Sequence, residues 1–218
     1  FSYLLYPVSL IFSAVTALRL LLYRAGFLSI QRVSVPVIVI GNLTVGGTGK
    51  TPLILHVASL LRERGMHPGI VSRGYRGSAK SVLEVTIDSD PLIVGDEPLL
   101  LAQRSLSPLF IGRDRVRAAQ ALLSRYPACD VILSDDGLQH YRLARDVEIA
   151  VFDQRGMMNG WQLPAGPLRE PISRLRQVDA VVFNGATRHH AAFSGVDSAC
   201  RAVSPVPTFR GTQPMTPV

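Results

Sequence analysis

The chain has 218 residues, 47% of them hydrophobic and 18% charged, enough apolar material for one large core and too much for a disordered chain or a nucleic-acid-binding tail. Lys+Arg total 23 against 16 Asp+Glu, net +7, and only Lys50 and Lys80 are lysines. The excess charge is therefore arginine, which suits planar, bidentate recognition of anions. Cys129 and Cys200 show neither metal-ligand spacing nor a CxxC pair, which points to a reducing compartment.

Residues 1–18 carry no charge, and Arg19, Arg24 and Arg32 follow without an acid among them. The pattern predicts an apolar helix over 7–24, with Pro7 in its first turn and a cationic flank suited to an anionic membrane surface. Such a helix reaches about 27 Å against a hydrocarbon core of roughly 30 Å, so it is expected to lie on the membrane rather than cross it. Ser9, Ser13, Thr16 and Tyr23 share one face, and Ile11, Val15, Leu18 and Leu22 another. The plain alternative is a core helix of the domain.

From Val33 onward apolar strands alternate with helical stretches. Strands are expected over 35–40, 69–72, 82–87, 109–111, 131–134, 148–152 and 180–183, and helices over 52–64, 97–104, 114–125 and 172–177. This order predicts an α/β fold, a mostly parallel sheet with helices on both faces and ligands at the strand C-termini. The expected organisation is a membrane-associated helix over 1–32, a main domain over 33–184, and the start of a further lobe or a linker over 185–218. The chain opens on Phe1 and closes on a proline-bearing stretch, and both ends read as cut points.

Gly41-Asn-Leu-Thr-Val-Gly-Gly-Thr-Gly-Lys-Thr-Pro52 stands between a buried strand and an amphipathic helix, the setting of a phosphate-binding loop. Val45, Gly46, Gly47, Thr48, Gly49, Lys50, Thr51 and Pro52 are the expected nucleotide contacts. Backbone amides of the glycine turn would close on phosphate oxygens, Lys50 would reach the β/γ-phosphates and the Thr51 hydroxyl would hold Mg²⁺. Thr44 replaces the first glycine of the strict pattern. With this loop the fold reading becomes a P-loop NTPase-like sheet.

Val131-Ile-Leu-Ser-Asp-Asp-Gly-Leu-Gln-His140 is an apolar strand ending in two acids. Asp135 and Asp136 are candidates for the metal, or for turn and helix-capping roles. Gly95-Asp-Glu-Pro98 offers Asp96 near an acceptor hydroxyl and Glu97 near the metal, or a plain helix start. The loops Ser72-Arg-Gly-Tyr-Arg-Gly77 and Leu163-Pro-Ala-Gly-Pro-Leu-Arg-Glu-Pro171 present Arg73 and Arg169 on stiff frames suited to a second phosphate. His140 is either a site residue or a structural histidine.

Taken in order, GNLTVGGTGKTP, SRGYRG, GDEP, SDDGLQHYRLARDVEI and NGWQLPAGPLREP resemble the tetraacyldisaccharide 4'-kinase family, the lipid A kinases of Gram-negative bacteria. The resemblance implies a kinase at the cytoplasmic face of the inner membrane. It would move the γ-phosphate of ATP, with Mg²⁺, to the 4'-hydroxyl of an acylated glucosamine disaccharide 1-phosphate, giving lipid IVA. It further implies Lys50 and Thr51 for nucleotide and metal, Asp135, Asp136, Gln139 and His140 for the metal-side motif, and Asp96 as general base. Glu97 would join the metal side, and Arg73, Tyr75, His140 and Arg169 the lipid head group. The partners are the lipid substrate and an anionic membrane surface, with no nucleic acid and no protein partner implied. Arg76 stands where the family commonly has Gly, and the family continues into a C-terminal lobe with an Asp-His pair beyond this chain. The competing class is a membrane-associated ATPase switch that phosphorylates no lipid; its usual KGGxGKT loop has lysine where this chain has Val45.

Overall fold

The computed structural model describes residues 2–184. Its elements are α1 (Ser2–Arg24), β1 (Val37–Gly41), α2 (Lys50–Glu63), β2 (Pro68–Ser72), β3 (Leu83–Val85), α3 (Pro91–Val94), α4 (Asp96–Ser105), β4 (Leu109–Ile111), α5 (Arg115–Arg125), β5 (Val131–Asp135), β6 (Val147–Asp153) and β7 (Ala180–Asn184), with a 3-10 turn at Ile172–Gln177 before β7. The expected segment 185–218 lies outside the described residues.

The strands form one sheet, β3-β4-β2-β5-β1-β6-β7. Every pairing is parallel except β3 on β4 at the edge. Successive residues of a buried strand face opposite sides, so the apolar runs feed two cores. Val39, Val71 and Ile132 pack with Val116 and Leu122 of α5. Ile40, Ile70 and Leu133 pack with Ile54 of α2 and Leu101 of α4. Helices therefore cover both faces, as the strand pattern requires.

Three elements after α1 differ from expectation. The stretch expected as a six-residue strand over 82–87 keeps only Leu83–Val85 at the sheet edge. The expected helix over 172–177 is a 3-10 turn entered through Pro171 and left at extended Val178; six residues held between β-region neighbours give too few i→i+4 bonds for an α-helix. The short α3, capped by Asp90 through the Leu92 amide, was not foreseen.

Helix α1 begins earlier than expected, at Ser2, with Pro7 inside it. Its 23 residues reach about 34 Å, so length does not exclude a crossing. Its polar stripe faces the domain. Ser9 Oγ donates to the Gln162 carbonyl at 2.8 Å, Ser13 Oγ to Gln162 Oε1 at 2.5 Å, and Tyr3 and Tyr6 pack on Trp161. Ile11, Val15 and Leu18 stand exposed. Only 6% of its most apolar 18-residue stretch is buried, so among the described residues it is not a core helix.

Behind the acid-bearing loop runs a buried ionic chain. Arg174 Nη2 lies 2.6 Å from Glu148 Oε2, Arg145 Nη1 lies 2.9 Å from Glu148 Oε1, and Tyr141 bonds Glu170. Burial opposes the charge on Arg174, but Glu148 more than offsets it and holds the guanidinium's pKa above its ordinary value. Truncating Arg174 leaves Glu148 to Arg145 alone and takes away the cation 3.8 Å from buried Glu170, so two interior acids lose compensation at once. Arg174→Ala is therefore expected to destabilise the domain by about 3–5 kcal/mol, read as a lower urea midpoint. A loss below about 1 kcal/mol would mean that water reaches Glu148.

Candidate active site

The chain leaves β1 at Gly41 and enters α2 at Lys50, and two glycines in left-handed conformations make the turn, Gly46 at φ 103 and Gly49 at φ 84. A Cβ on Gly49 would lie 2.0 Å from Asn184 Nδ2 at the end of β7. Gly49 caps α2 without a side-chain bond, so the positive end of the helix is presented to an anion. Val45 is exposed, and its amide donates to the Pro167 carbonyl at 2.9 Å. Thr48 Oγ1 is buried with no partner, and Pro52 is exposed in the first turn of α2.

Lys50 is only 7% exposed. Its Nζ lies 3.3 Å from Asn42 Oδ1 and 3.7 Å from Asp136 Oδ1, and Asn42 Nδ2 donates to the Gly46 carbonyl at 3.1 Å. Asn42 thus fixes the lysine and the glycine turn together.

Parallel pairing of β1 with β5 sets Ile40 beside Asp135, so the acids leave the sheet at the level of the phosphate loop. Asp135 is 2% exposed; one oxygen accepts from Ser72 Oγ at 2.8 Å and the other has no partner. Burial first, then the Glu97 carboxylate, pushes its pKa up to about 6. Thr51 Oγ1 donates to Glu97 Oε1 at 2.8 Å. This hydroxyl and carboxylate chemistry, with an orphaned buried oxygen, fits Mg²⁺. Among the described residues no three His, Cys, Asp or Glu side chains converge as a metal cage, so water and phosphate oxygens would complete the shell, as Mg²⁺ prefers.

Asp136 takes φ 49 and pairs with Arg169 Nη1 at 3.0 Å as well as with Lys50. Gln139 Nε2 donates to the Asn42 carbonyl at 3.3 Å, and its Oε1 lies 3.5 Å from Arg169 Nη1. Beyond them opens a cavity of about 210 Å³ lined by Arg19, Arg73, Arg113, Arg115, Asp136, Gln139, His140 and Arg169. Burial, then Arg115, lowers His140 to about 4, so its imidazole is neutral at pH 7. Burial also lowers Arg115 to about 10, and its Nη2 lies 3.4 Å from the Asp135 carbonyl.

Asp96 is an exposed first-turn residue of α4; Gly95, not Asp96, is the cap. The SRGYRG and GDEP loops touch backbone to backbone. A Cβ on Gly95, at φ 92, would lie 2.4 Å from the Tyr75 carbonyl, and one on Gly77 2.4 Å from the Ile93 carbonyl. Arg73, Tyr75 and Asp96 are thereby carried on one joined pair of loops, with Tyr75 63% exposed. Arg76 takes φ 65, the conformation that glycine adopts most readily.

Several residues were not singled out in the sequence, Asn42, Ser72, Arg113, Arg115, Arg155 and Asn184, and Arg19 was read only as part of the cationic membrane flank, not as a residue of this cavity. Ser72 ends β2 and Arg113 follows β4, so their place at strand C-termini was a readable signal. Arg19 and Asn184 arrive only through the packing of α1 and β7.

Strand, glycine turn, buried lysine and adjoining acid strand define a phosphate-loop α/β protein. A family model described as Tetraacyldisaccharide-1-P 4'-kinase matches residues 1–212, and the chain belongs to that family. It is 58% identical over 182 residues to the tetraacyldisaccharide 4'-kinase of Azoarcus sp. (strain BH72), covering 84% of this chain and 53% of the relative. It is 57% identical over 190 residues to that of Herminiimonas arsenicoxydans, covering 87% and 53%. The chain spans about half the length of the curated relatives it matches. A crystal structure of LpxK from Aquifex aeolicus, described as an "apo" form in complex with ATP, superposes with a TM-score of 0.77 at 35% identity, covering 84% of this chain and 58% of that one.

Proposed function

We propose that the protein phosphorylates the 4'-hydroxyl of a tetraacyl glucosamine disaccharide 1-phosphate with ATP and Mg²⁺, giving lipid IVA at the cytoplasmic face of the inner membrane. The observation that carries this reading is Asp136, which touches Lys50 on one side and Arg169 on the other. It joins the phosphate loop to an arginine-lined cavity whose charge suits an anionic head group. Family membership supplies the substrate class.

Lys50 and the Gly46–Gly49 turn hold the triphosphate, and Thr51, Asp135, Asp136, Glu97 and Gln139 surround the metal side. Mg²⁺ held there by Thr51, Asp135 and Glu97 would supply neutralisation of the phosphate charge. Arg73, Tyr75, His140 and Arg169 receive the head group, and Arg19 and Arg113 add charge to the same cavity. As the bond from the γ-phosphorus to the bridging oxygen breaks, one forms to the sugar 4'-oxygen. The hydroxyl proton passes to Asp96, and the leaving ADP keeps the electron pair of the broken bond. The test is to incubate the full-length protein with γ-labelled ATP and tetraacyl disaccharide 1-phosphate in detergent. Label on the lipid is expected; ATP hydrolysis with unlabelled lipid would replace this reading with the ATPase switch.

Helix α1, polar side inward and apolar side outward, supports residues 1–32 as the membrane-binding part and 33–184 as the kinase domain. Arg32 is already paired with Asp146 at 2.7 Å, so Arg24 is the better probe of surface charge. Sedimentation with phosphatidylglycerol vesicles is expected to weaken as salt rises, and Arg24→Gln to weaken it roughly fivefold at low salt. Binding indifferent to both salt and Arg24 would mean that α1 inserts by its apolar face alone.

A further inference from the structure

Arg155, in the turn after β6, is held to Asp153 at three points. Its Nε and Nη2 lie 2.8 Å and 2.6 Å from Asp153 Oδ2, and its backbone amide donates to Asp153 Oδ1 at 2.9 Å. The same Nη2 donates to the Gly47 carbonyl at 2.9 Å. The guanidinium also lies 3.2 Å from where a Cβ on Gly46 would stand. The side chain is 52% exposed, and a pair so wet adds little to stability. Its effect is instead to hold a planar cation against the Gly46–Gly47 turn. Asn42 ties that turn to Lys50, so the two cations address one stretch of the loop. Beside Arg155 opens a cavity of about 390 Å³ lined in part by Gly47, Thr48, Gly49 and Asn184, with Thr48 Oγ1 buried and unpartnered.

We propose that Arg155 is a catalytic arginine, supplied by the chain itself to the terminal phosphates of the nucleotide, and that Asp153 is its positioning residue. This rests on the phosphate-loop function proposed above. In phosphoryl transfer, negative charge gathers on the oxygens around the moving phosphorus and on the bridging oxygen. A guanidinium meets such oxygens with two donors in a fixed fork. Nη1 takes part in none of the bonds above, and Nη2 needs only to exchange the Gly47 carbonyl for a phosphate oxygen while Nε stays on Asp153.

The test uses the full-length protein with Arg155→Ala, Arg155→Lys and Asp153→Asn, measuring kcat together with calorimetric affinities for ADP and for a nonhydrolysable triphosphate. Arg155→Ala is expected to lower kcat roughly 10²–10³-fold. It should weaken the triphosphate about tenfold and leave ADP within about twofold. Arg155→Lys keeps the charge without the fork and should still lose at least about tenfold in kcat; it also serves if the alanine variant does not fold. Asp153→Asn should fall between wild type and Arg155→Ala. Equal weakening of ADP and triphosphate with turnover retained would make Arg155 a strap for the loop, and unchanged kcat would make it a surface pair; either overturns the proposal. Lys50→Ala measured alongside separates the two levels, because normal nucleotide binding and transfer in that variant would remove the phosphate-loop function itself.

Discussion

Lys50→Ala is expected to lower phosphoryl transfer in the full-length protein by about 10²–10³-fold. Lys50 is 7% exposed and its ammonium stands between Asn42 and Asp136, so little water is available to replace it. Transfer moves charge toward the bridging and terminal oxygens, and a cation fixed beforehand stabilises that charge without reorganising. Removing it also leaves Asp136 to Arg169 alone, turning an acidic side chain toward the incoming phosphates. ATP affinity should fall together with kcat. Lys50→Arg should not restore activity, because the planar fork does not fit a buried site built around a point charge. Turnover within about threefold of wild type in the alanine variant would remove Lys50 from the reaction.

Asp96→Asn is expected to lower kcat by about 10²–10⁴-fold with nearly unchanged ATP affinity. Asp96 is an exposed residue of the first turn of α4, and neither capping nor burial accounts for it, since Gly95 holds the cap position. A carboxylate there can take the proton of the acceptor hydroxyl as the new ester forms. Glu97, next in the chain, is engaged with Thr51 at 2.8 Å. Glu97→Gln should therefore raise the Mg²⁺ concentration needed for half-maximal rate more than it lowers the rate at saturating Mg²⁺. Kinetics of both variants with Mg²⁺ titrated separate the roles. If Asp96→Asn weakens ATP·Mg²⁺ as strongly as it slows turnover, Asp96 belongs to the metal side and another group takes the proton.

Much of this architecture was legible in the residues. The unbroken apolar run into Gly41, the glycine turn before Lys50, and Asp114 one residue ahead of α5, where it accepts from the Val116 and Arg117 amides, are local signals that act over a few bonds. They placed all six strands that pair in parallel, and the main helices, to within a few residues. The edge strand β3 and the turn at Ile172–Gln177 were less legible. Their extent depends on a single neighbour or on flanking residues in extended conformation rather than on their own pattern.

The succession of strands and helices apart from α3, the phosphate loop and the acids at the end of β5 could be read from the residues alone, because periodicity, turn chemistry and side-chain type are properties of chain neighbours. Only the tertiary structure decided which charges meet. Asp136 turns to Lys50 and Arg169, Arg19 joins the arginine cavity from α1, Asn184 closes on Gly49, and Arg155 lies against Gly47. It also decided that α1 faces the domain with its serines and presents Ile11, Val15 and Leu18 outward. The physical reason is that these contacts span more than a hundred residues in several cases. Parallel strand register and the packing of loops at one end of the sheet set them, and neither is encoded in any short window.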